Sequence, residues 1–63
     1  MLHYNYIKEG QSVKYCGHKC TVVKKSIDND GIYHLTLVYP NPLMMDVTCF
    51  EQSDDGEFNN IEP

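Results

Sequence analysis

The sequence predicts a small all-β domain, an antiparallel barrel of four to five short strands, on three observations. The chain has 63 residues, which allows one domain with one small core and a thin stability margin. Several stretches alternate apolar and polar residues with the period of a strand, and no window carries the apolar stripe of a helix. Turn-forming residues separate these stretches. A sheet this small gains most by curling, because curling removes its exposed edges.

The first strands precede a short turn near residue 17. A turn over residues 8–11 leads into a predicted strand over 12–16, in which Val13 and Tyr15 share a face. Residues 3–7 are the candidate for a fifth strand.

The next strand covers residues 19–27, after a tight turn at Gly17-His18. Val23 and Ile27 are expected to share one face of this strand. Val22 stands beside Val23 and blurs the alternation, which is typical of a strand that bends or lies in a closed barrel.

Residues 32–39 give the clearest strand, because apolar residues recur at every second position. The preceding Asp28-Asn29-Asp30-Gly31 is a strong turn signal, since these residue types tolerate positive φ. One face of this strand is predicted to carry Tyr33, Leu35, Leu37 and Tyr39.

The C-terminal third is predicted to hold one more strand and a tail. Pro40-Asn41-Pro42 forms a loop, since proline cannot continue a ladder. Residues 43–50 follow as a strand, with Met45, Val47 and Cys49 on one face; if this face is the inner one, Met44 points outwards. We therefore place the barrel at residues 1–52 and an acidic tail at 53–63, held by Phe58 and Ile61.

The stretch from residue 7 to residue 39 resembles the start of an SH3-like barrel of the KOW and Tudor kind. The matching positions are Gly10, Val13, Gly17, Thr21, Val22 and Val23. The resemblance implies a small curled barrel that binds other macromolecules. The Tudor branch uses aromatic cages for methylated side chains, but the sequence does not indicate that three aromatics converge here.

The charges are distributed unevenly along the chain. The net charge is −4, all five lysines lie within residues 1–25, and eight acids and no base lie within residues 26–63. An acidic chain without arginine disfavours binding to a phosphate backbone. Ala, Arg and Trp are absent while Tyr occurs five times, a bias typical of AT-rich genes such as those of many phages.

The segment Cys16-Gly17-His18-Lys19-Cys20 raises the question of a metal or redox site. A zinc site usually pairs its ligands as C-x2-C, and a redox motif is C-x-x-C beside a helix. Here the spacing is C-x3-C between predicted strands. We interpret the segment as a hairpin turn with reduced cysteines and expect no metal or cofactor; a zinc-stabilised mini-domain and a disulfide remain the alternatives.

The predicted binding face combines aromatic residues with methionine. Tyrosine is favoured at interfaces, and methionine suits adaptable contact surfaces. We expect the face to consist of Tyr33, Tyr39, Met44 and Phe50. The function predicted is that of a small protein-binding module, such as a phage or mobile-element accessory protein that binds and modulates a host or cellular protein.

The alternative is a nucleic-acid-binding barrel that uses the lysine-bearing hairpin. Its contact residues would be Lys14, Tyr15, Lys19, Lys24 and Lys25. We expect no enzymatic activity, because no nucleophile–base pair, phosphate loop or paired-carboxylate spacing is present. No segment has the roughly 20 apolar residues of a membrane span. The N-terminus lacks the pattern of a signal peptide, so a cytoplasmic location is expected.

Overall fold

The computed structural model describes residues 1–43 and 45–63 and shows an all-β domain, as predicted. The described strands are β1 (Leu2–His3), β2 (Ser12–Tyr15), β3 (His18–Ile27), β4 (Tyr33–Tyr39), β5 (Val47–Ser53), β6 (Glu57–Phe58) and β7 (Ile61–Glu62), with a single 3-10 turn at Tyr4–Tyr6. The middle strands β2 to β4 lie close to their predicted positions, because the turns between them are set by local residue chemistry.

Five strands form one curled antiparallel sheet, a half-barrel, in the order β5-β4-β3-β2-β7. The strands β2 to β5 follow one another as a meander, and β7 returns to pair with β2. The strands β1 and β6 pair separately. The sheet therefore has an inner face that holds the core and an outer face towards solvent.

The turn between β2 and β3 consists of Cys16 and Gly17, both with positive φ (50° and 84°). A two-residue turn of this kind matches the twist of the flanking strands. Tyr15 pairs directly with His18, so the turn lies one residue earlier than the predicted Gly17-His18.

A β-bulge in β3 explains why the apolar–polar alternation is interrupted at Val22 and Val23. Val22 pairs with Leu37 and Lys24 with Thr36, which leaves Val23 as the extra residue. Val22 is fully buried, whereas Val23 is 47% exposed. The bend that the sequence indicated is therefore present, and it changes which residues of β3 face inwards.

The core fills the inner face of the half-barrel. Leu35 and Leu37 of β4 lie at its centre, and Tyr33 and Tyr39 at the ends of the same strand pack against it while remaining half-buried. The other buried hydrophobic side chains are those of Ile7, Val13, Cys20, Val22, Phe58 and Ile61.

The last residues of the chain take part in this core. The strand β6 pairs with β1 and β7 pairs with β2, which buries Phe58 and Ile61. Two-residue strands are too short to show a periodic pattern, which is why the sequence indicated only a tail with these two residues as anchors.

The strand β5 begins at Val47, four residues later than predicted, and continues to Ser53. Pro40 and Pro42 keep the chain in a loop, and the Asn41 side chain accepts a hydrogen bond from the Leu43 backbone N–H at 2.9 Å. The predicted place of Met45 within this strand is wrong, because Met45 lies in the preceding loop and is 85% exposed.

Candidate functional site

The predicted binding residues do not lie on one face of the sheet. Tyr33 and Tyr39 are half-buried on the inner side of β4. Phe50 pairs with Thr36 on the outer face and is 76% exposed. Met44 lies outside the described residues. Period-two alternation separates Phe50 from the tyrosines, because Thr36 alternates with Leu35 and Leu37 of the inner face.

Phe50 is a large apolar residue on a mostly polar outer face. Its neighbours across the sheet are Thr36 and Lys24. On its own strand, Thr48 and Gln52 point to the same face. An isolated exposed apolar side chain is common at protein surfaces, but this one stands on an edge strand, where another chain can approach it.

A second apolar surface lies in the loop between β4 and β5. Leu43 is 90% exposed and Met45 is 85% exposed. Together with Asp46 and Val47 they line one shallow, mainly apolar cavity. We call Leu43, Met45 and Val47 the loop patch. The sequence did not indicate this site, because the apolar run after Pro42 reads equally well as a strand or as an exposed loop.

Tyr39 stands at the same end of the sheet as the loop patch. Its ring stacks on His18, with centroids 5.8 Å apart and an interplanar angle of 16°. The Cys49 thiol raises the pKa of Tyr39, first through the negative charge of its thiolate form and further through a hydrogen bond; burial also raises it. The stack therefore fixes the orientation of a tyrosine directly before the exposed loop.

The half-buried Tyr15 side chain lies on the inner face of the half-barrel. The Glu51 carboxylate raises the pKa of Tyr15 far above its usual value, first as a hydrogen-bond acceptor for the hydroxyl, and burial and the negative charge of Glu51 raise it further. Both side chains lie on the inner face of the sheet. Tyr15 therefore points away from the lysines of the outer face.

The predicted lysine site is divided between the two faces. Lys14 and Lys19 are directly opposite each other on the outer face, which Lys24 shares. Lys25 points inwards, where its Nζ donates to the carbonyls of Ile7 at 2.7 Å and Tyr4 at 3.1 Å. Three of the four lysines can therefore contact an external ligand together.

The residues Cys16, His18 and Cys20 do not converge. Cys16 is exposed in the turn, His18 stacks on Tyr39, and Cys20 is buried opposite Val13. All three cysteines of the chain are free, and burial raises the pKa of Cys20. The described residues hold no group of three or more His, Cys, Asp or Glu side chains that could bind a metal.

Aromatic rings do converge at the other end of the half-barrel. The Tyr33 ring lies 5.0 Å from Tyr4 and 6.3 Å from His3, and His3 lies 6.3 Å from Tyr6, all between ring centroids. The sequence did not indicate this cluster, because its members come from β1, the 3-10 turn and β4. Lys25 Nζ already stands 4.1 Å from the Tyr4 ring centroid, so the cluster holds a cation of the chain itself.

An acidic cavity adjoins this end, lined by Asp28, Asp54, Asp55 and Glu57 among others. Two of these carboxylates accept hydrogen bonds from backbone N–H groups. Asp28 Oδ1 accepts from Asp30 and Ile32, and Asp55 Oδ1 accepts from Glu57. The hydrogen bond with His34, followed by those from the backbone, lowers the pKa of Asp28, and the backbone N–H of Glu57 is the main cause that lowers the pKa of Asp55.

Comparison with known proteins identifies no relative. Neither a family model, nor a curated protein, nor a solved structure matches the chain. The described residues include no helix long and apolar enough to cross a membrane.

Proposed function

We propose that this chain is a small, non-enzymatic protein-binding module of the SH3-like kind. We further propose that it acts in the cytoplasm as an accessory protein of a phage or mobile element, which modulates a host or cellular protein. The curled five-stranded sheet is compatible with a small barrel. The resemblance over residues 7–39 and the biased composition support the finer assignments.

The observation that carries the proposal is the exposure of the loop patch. Leu43 and Met45 are 90% and 85% exposed and line one apolar depression. Apolar side chains grouped in this way are typical of interaction sites. Burial of one such side chain by a partner contributes about 1.5–3 kcal/mol. Methionine adds conformational freedom, which allows contact with differently shaped partner surfaces.

Tyr39 is the predicted contact residue that fits this site best. Its ring is held by His18 at the base of the loop, and a fixed aromatic ring loses little entropy on binding. Tyr33 lies at the opposite end of β4, so we assign it to the aromatic cluster rather than to the loop patch.

The proposal is tested by affinity capture from host lysate, with nuclease added and with variants compared by mass spectrometry. We expect a protein that wild type retains to be lost with the double variant Leu43→Asp/Met45→Asp. The matched control is Val23→Asp, because Val23 is also an exposed apolar residue but lies on the bulge of β3. Retention of the same protein by the loop variant, or its loss with the control as well, would contradict the proposal.

The alternative function, nucleic-acid binding, is favoured by one observation: Lys14, Lys19 and Lys24 share the outer face of β2 and β3. A site of three lysines predicts a salt dependence with a slope of roughly −2 to −3 in log K against log salt. The measurement is fluorescence anisotropy with labelled single- and double-stranded DNA over a salt series. Binding that persists in a Lys14→Gln/Lys19→Gln/Lys24→Gln variant would contradict this alternative.

A further inference from the structure

The strand β5 is an edge of the sheet. It pairs with β4 over seven consecutive residues, from Val47 opposite Tyr39 to Ser53 opposite Tyr33. Within residues 1–43 and 45–63, β5 has no other strand partner. The opposite edge, β7, has only two residues, and its Glu62 binds the N-terminal amine at 2.9 Å. One long edge therefore has no strand partner among the described residues, and its C-terminal half runs beside β6.

This edge carries few of the features that usually prevent pairing with another chain. Natural edge strands are protected by charged side chains, above all lysine, by proline, bulges or short length, by inward-pointing charges, or by a covering segment. The β5 sequence Val-Thr-Cys-Phe-Glu-Gln-Ser contains no lysine or proline, and its register with β4 has no shift. Its only charge, Glu51, lies on the inner side opposite Leu35, and this inward-pointing carboxylate is the one protective feature that the strand carries. Phe50 stands in the middle of the strand, 76% exposed on the outer face.

We propose that two copies of this chain associate through β5, in an antiparallel pair with its two-fold axis at Phe50. In this register Phe50 faces Phe50 of the second copy, and Thr48 faces Gln52. On the inner side Cys49 faces Glu51, and Val47 faces Ser53. All seven residues of the strand pair, and the two half-barrels form one continuous sheet.

The sequence of β5 selects this register over its neighbours. An axis at Glu51 would place two carboxylates directly opposite, which is unfavourable. An axis at Cys49 would pair only five strand residues and would set Phe50 against Thr48. The axis at Phe50 pairs the full strand, joins two aromatic rings and places no like charges opposite each other.

We choose a second copy of the chain as the partner of β5, because the β5 sequence is complementary to itself in the antiparallel register. A two-fold pair uses the same edge of both chains and closes, so no long edge remains for further growth. The second half of the edge borders an open groove, which Glu51 and Gln52 line together with residues 57–61. In the proposed register, Val47 and Thr48 of the second copy lie beside this groove. The net charge of −4 on each chain opposes association, so added salt should strengthen it.

The test is sedimentation equilibrium of the full chain over a concentration series, at low and moderate salt. Wild type should show a monomer–dimer equilibrium. Phe50→Lys and Phe50→Asp should each raise the dimer dissociation constant about tenfold or more, through loss of the aromatic pair and through facing like charges. Mixing these two variants should restore dimers, because Lys then faces Asp across the axis. Thr21→Lys, an exposed outer-face change on β3, is the control and should leave the constant unchanged.

A wild-type chain that stays monomeric at all concentrations would overturn the proposal, and the edge would then be open to a foreign strand. Dimers that persist in Phe50→Lys, or a mixture of the two variants that stays monomeric, would overturn it as well. Circular dichroism of each variant confirms that the fold is kept. The loop variant Leu43→Asp/Met45→Asp should still form dimers, so failure of this proposal is distinguishable from failure of the proposed protein-binding function.

Discussion

Lys25 Nζ stands over the ring of Tyr4, 4.1 Å from its centroid, and donates hydrogen bonds to the carbonyls of Tyr4 and Ile7. These carbonyls lie at the start and just beyond the end of the 3-10 turn. One charged side chain from β3 therefore fixes the N-terminal segment against the sheet. The contact also explains why Lys25, alone among the lysines of the predicted nucleic-acid site, faces inwards.

Replacement of Lys25 by methionine should destabilise the fold by about 1–3 kcal/mol, because it removes a charged donor and takes from the partly buried Ile7 carbonyl its side-chain partner, whereas the Tyr4 carbonyl keeps the Ile7 N–H. Methionine keeps the apolar length of the side chain, so the loss reports on the donor rather than on packing. Urea unfolding followed by circular dichroism measures the change. The neighbouring Lys24→Met, on the outer face, should stay within about 0.5 kcal/mol; equal losses for both variants would contradict this role of Lys25.

The decrease in the free energy of unfolding at acidic pH should depend on Asp28. Its Oδ2 lies 2.7 Å from His34 Nε2, and its Oδ1 accepts from the Ile32 backbone. The hydrogen bond with His34 is the main cause that lowers the pKa of Asp28. A carboxyl whose folded pKa is lowered stabilises the fold above its unfolded pKa and loses that contribution as the pH falls through the folded value.

In Asp28→Asn we therefore expect lower stability near neutral pH and a shallower loss of stability on acidification. The measurement is the free energy of unfolding from urea titrations at a series of pH values between neutral and acidic. Asp46→Asn serves as the control, since Asp46 is an exposed carboxylate in the loop after β4. An acid limb that keeps its slope in Asp28→Asn would show that the Asp28–His34 contact does not stabilise the native state.

The parts of the fold that the sequence predicted are those set by residues close to one another in the chain. The strands β2, β3 and β4 were predictable because Gly17 and the segment 28–31 set their turns through backbone conformation. The start of β5 was not, because an apolar run after Pro42 reads equally well as a strand or as an exposed loop. The pairings of β6 and β7 depend on distant partners, and no local pattern encodes them.

The candidate site was less predictable than the fold. Alternation correctly placed Tyr33, Leu35, Leu37 and Tyr39 on one side of β4. It could not show which side of β5 shares that face, since this depends on the register between the strands. Phe50 was therefore grouped with tyrosines that lie on the opposite face. Exposure of Leu43 and Met45 is a tertiary property that composition does not reveal.

The raised pKa of Tyr15 should make the stability of the fold at alkaline pH depend on Glu51. When the pKa of a tyrosine is raised on folding, the fold is destabilised as the pH rises above the pKa of the unfolded chain, because the unfolded chain then ionises first. In Glu51→Gln, the pKa of Tyr15 should fall towards its ordinary value, since the interaction with the Glu51 carboxylate is the largest cause of the shift, ahead of burial. Ultraviolet difference titration of tyrosinate measures this, and Tyr15→Phe identifies which part of the signal belongs to Tyr15. Identical tyrosinate curves in wild type and Glu51→Gln would contradict this role of Glu51.

The three thiols should react in the order of their exposure. Cys16 is exposed in the turn, Cys49 is half-buried and Cys20 is buried, with a raised pKa. Because the thiolate is the reactive form, iodoacetamide should modify Cys16 first and Cys20 last, as read by intact-mass and peptide analysis. Protection of Cys16 by added zinc would favour the zinc-stabilised alternative and contradict the hairpin interpretation.

Two phenylalanines give a matched test of whether the C-terminal residues belong to the folded domain. Phe58 is 4% exposed in β6 and Phe50 is 76% exposed in β5. Phe58→Ala should cost about 3–5 kcal/mol, because it removes a large buried side chain and leaves a cavity. In a chain of this size that loss is comparable with the whole stability. Phe50→Ala should stay within about 0.5 kcal/mol. Urea unfolding of both variants measures the difference, and at low protein concentration it is free of any contribution from association. If Phe58→Ala were as stable as Phe50→Ala, residues 53–63 would be a tail that Phe58 does not anchor to the core.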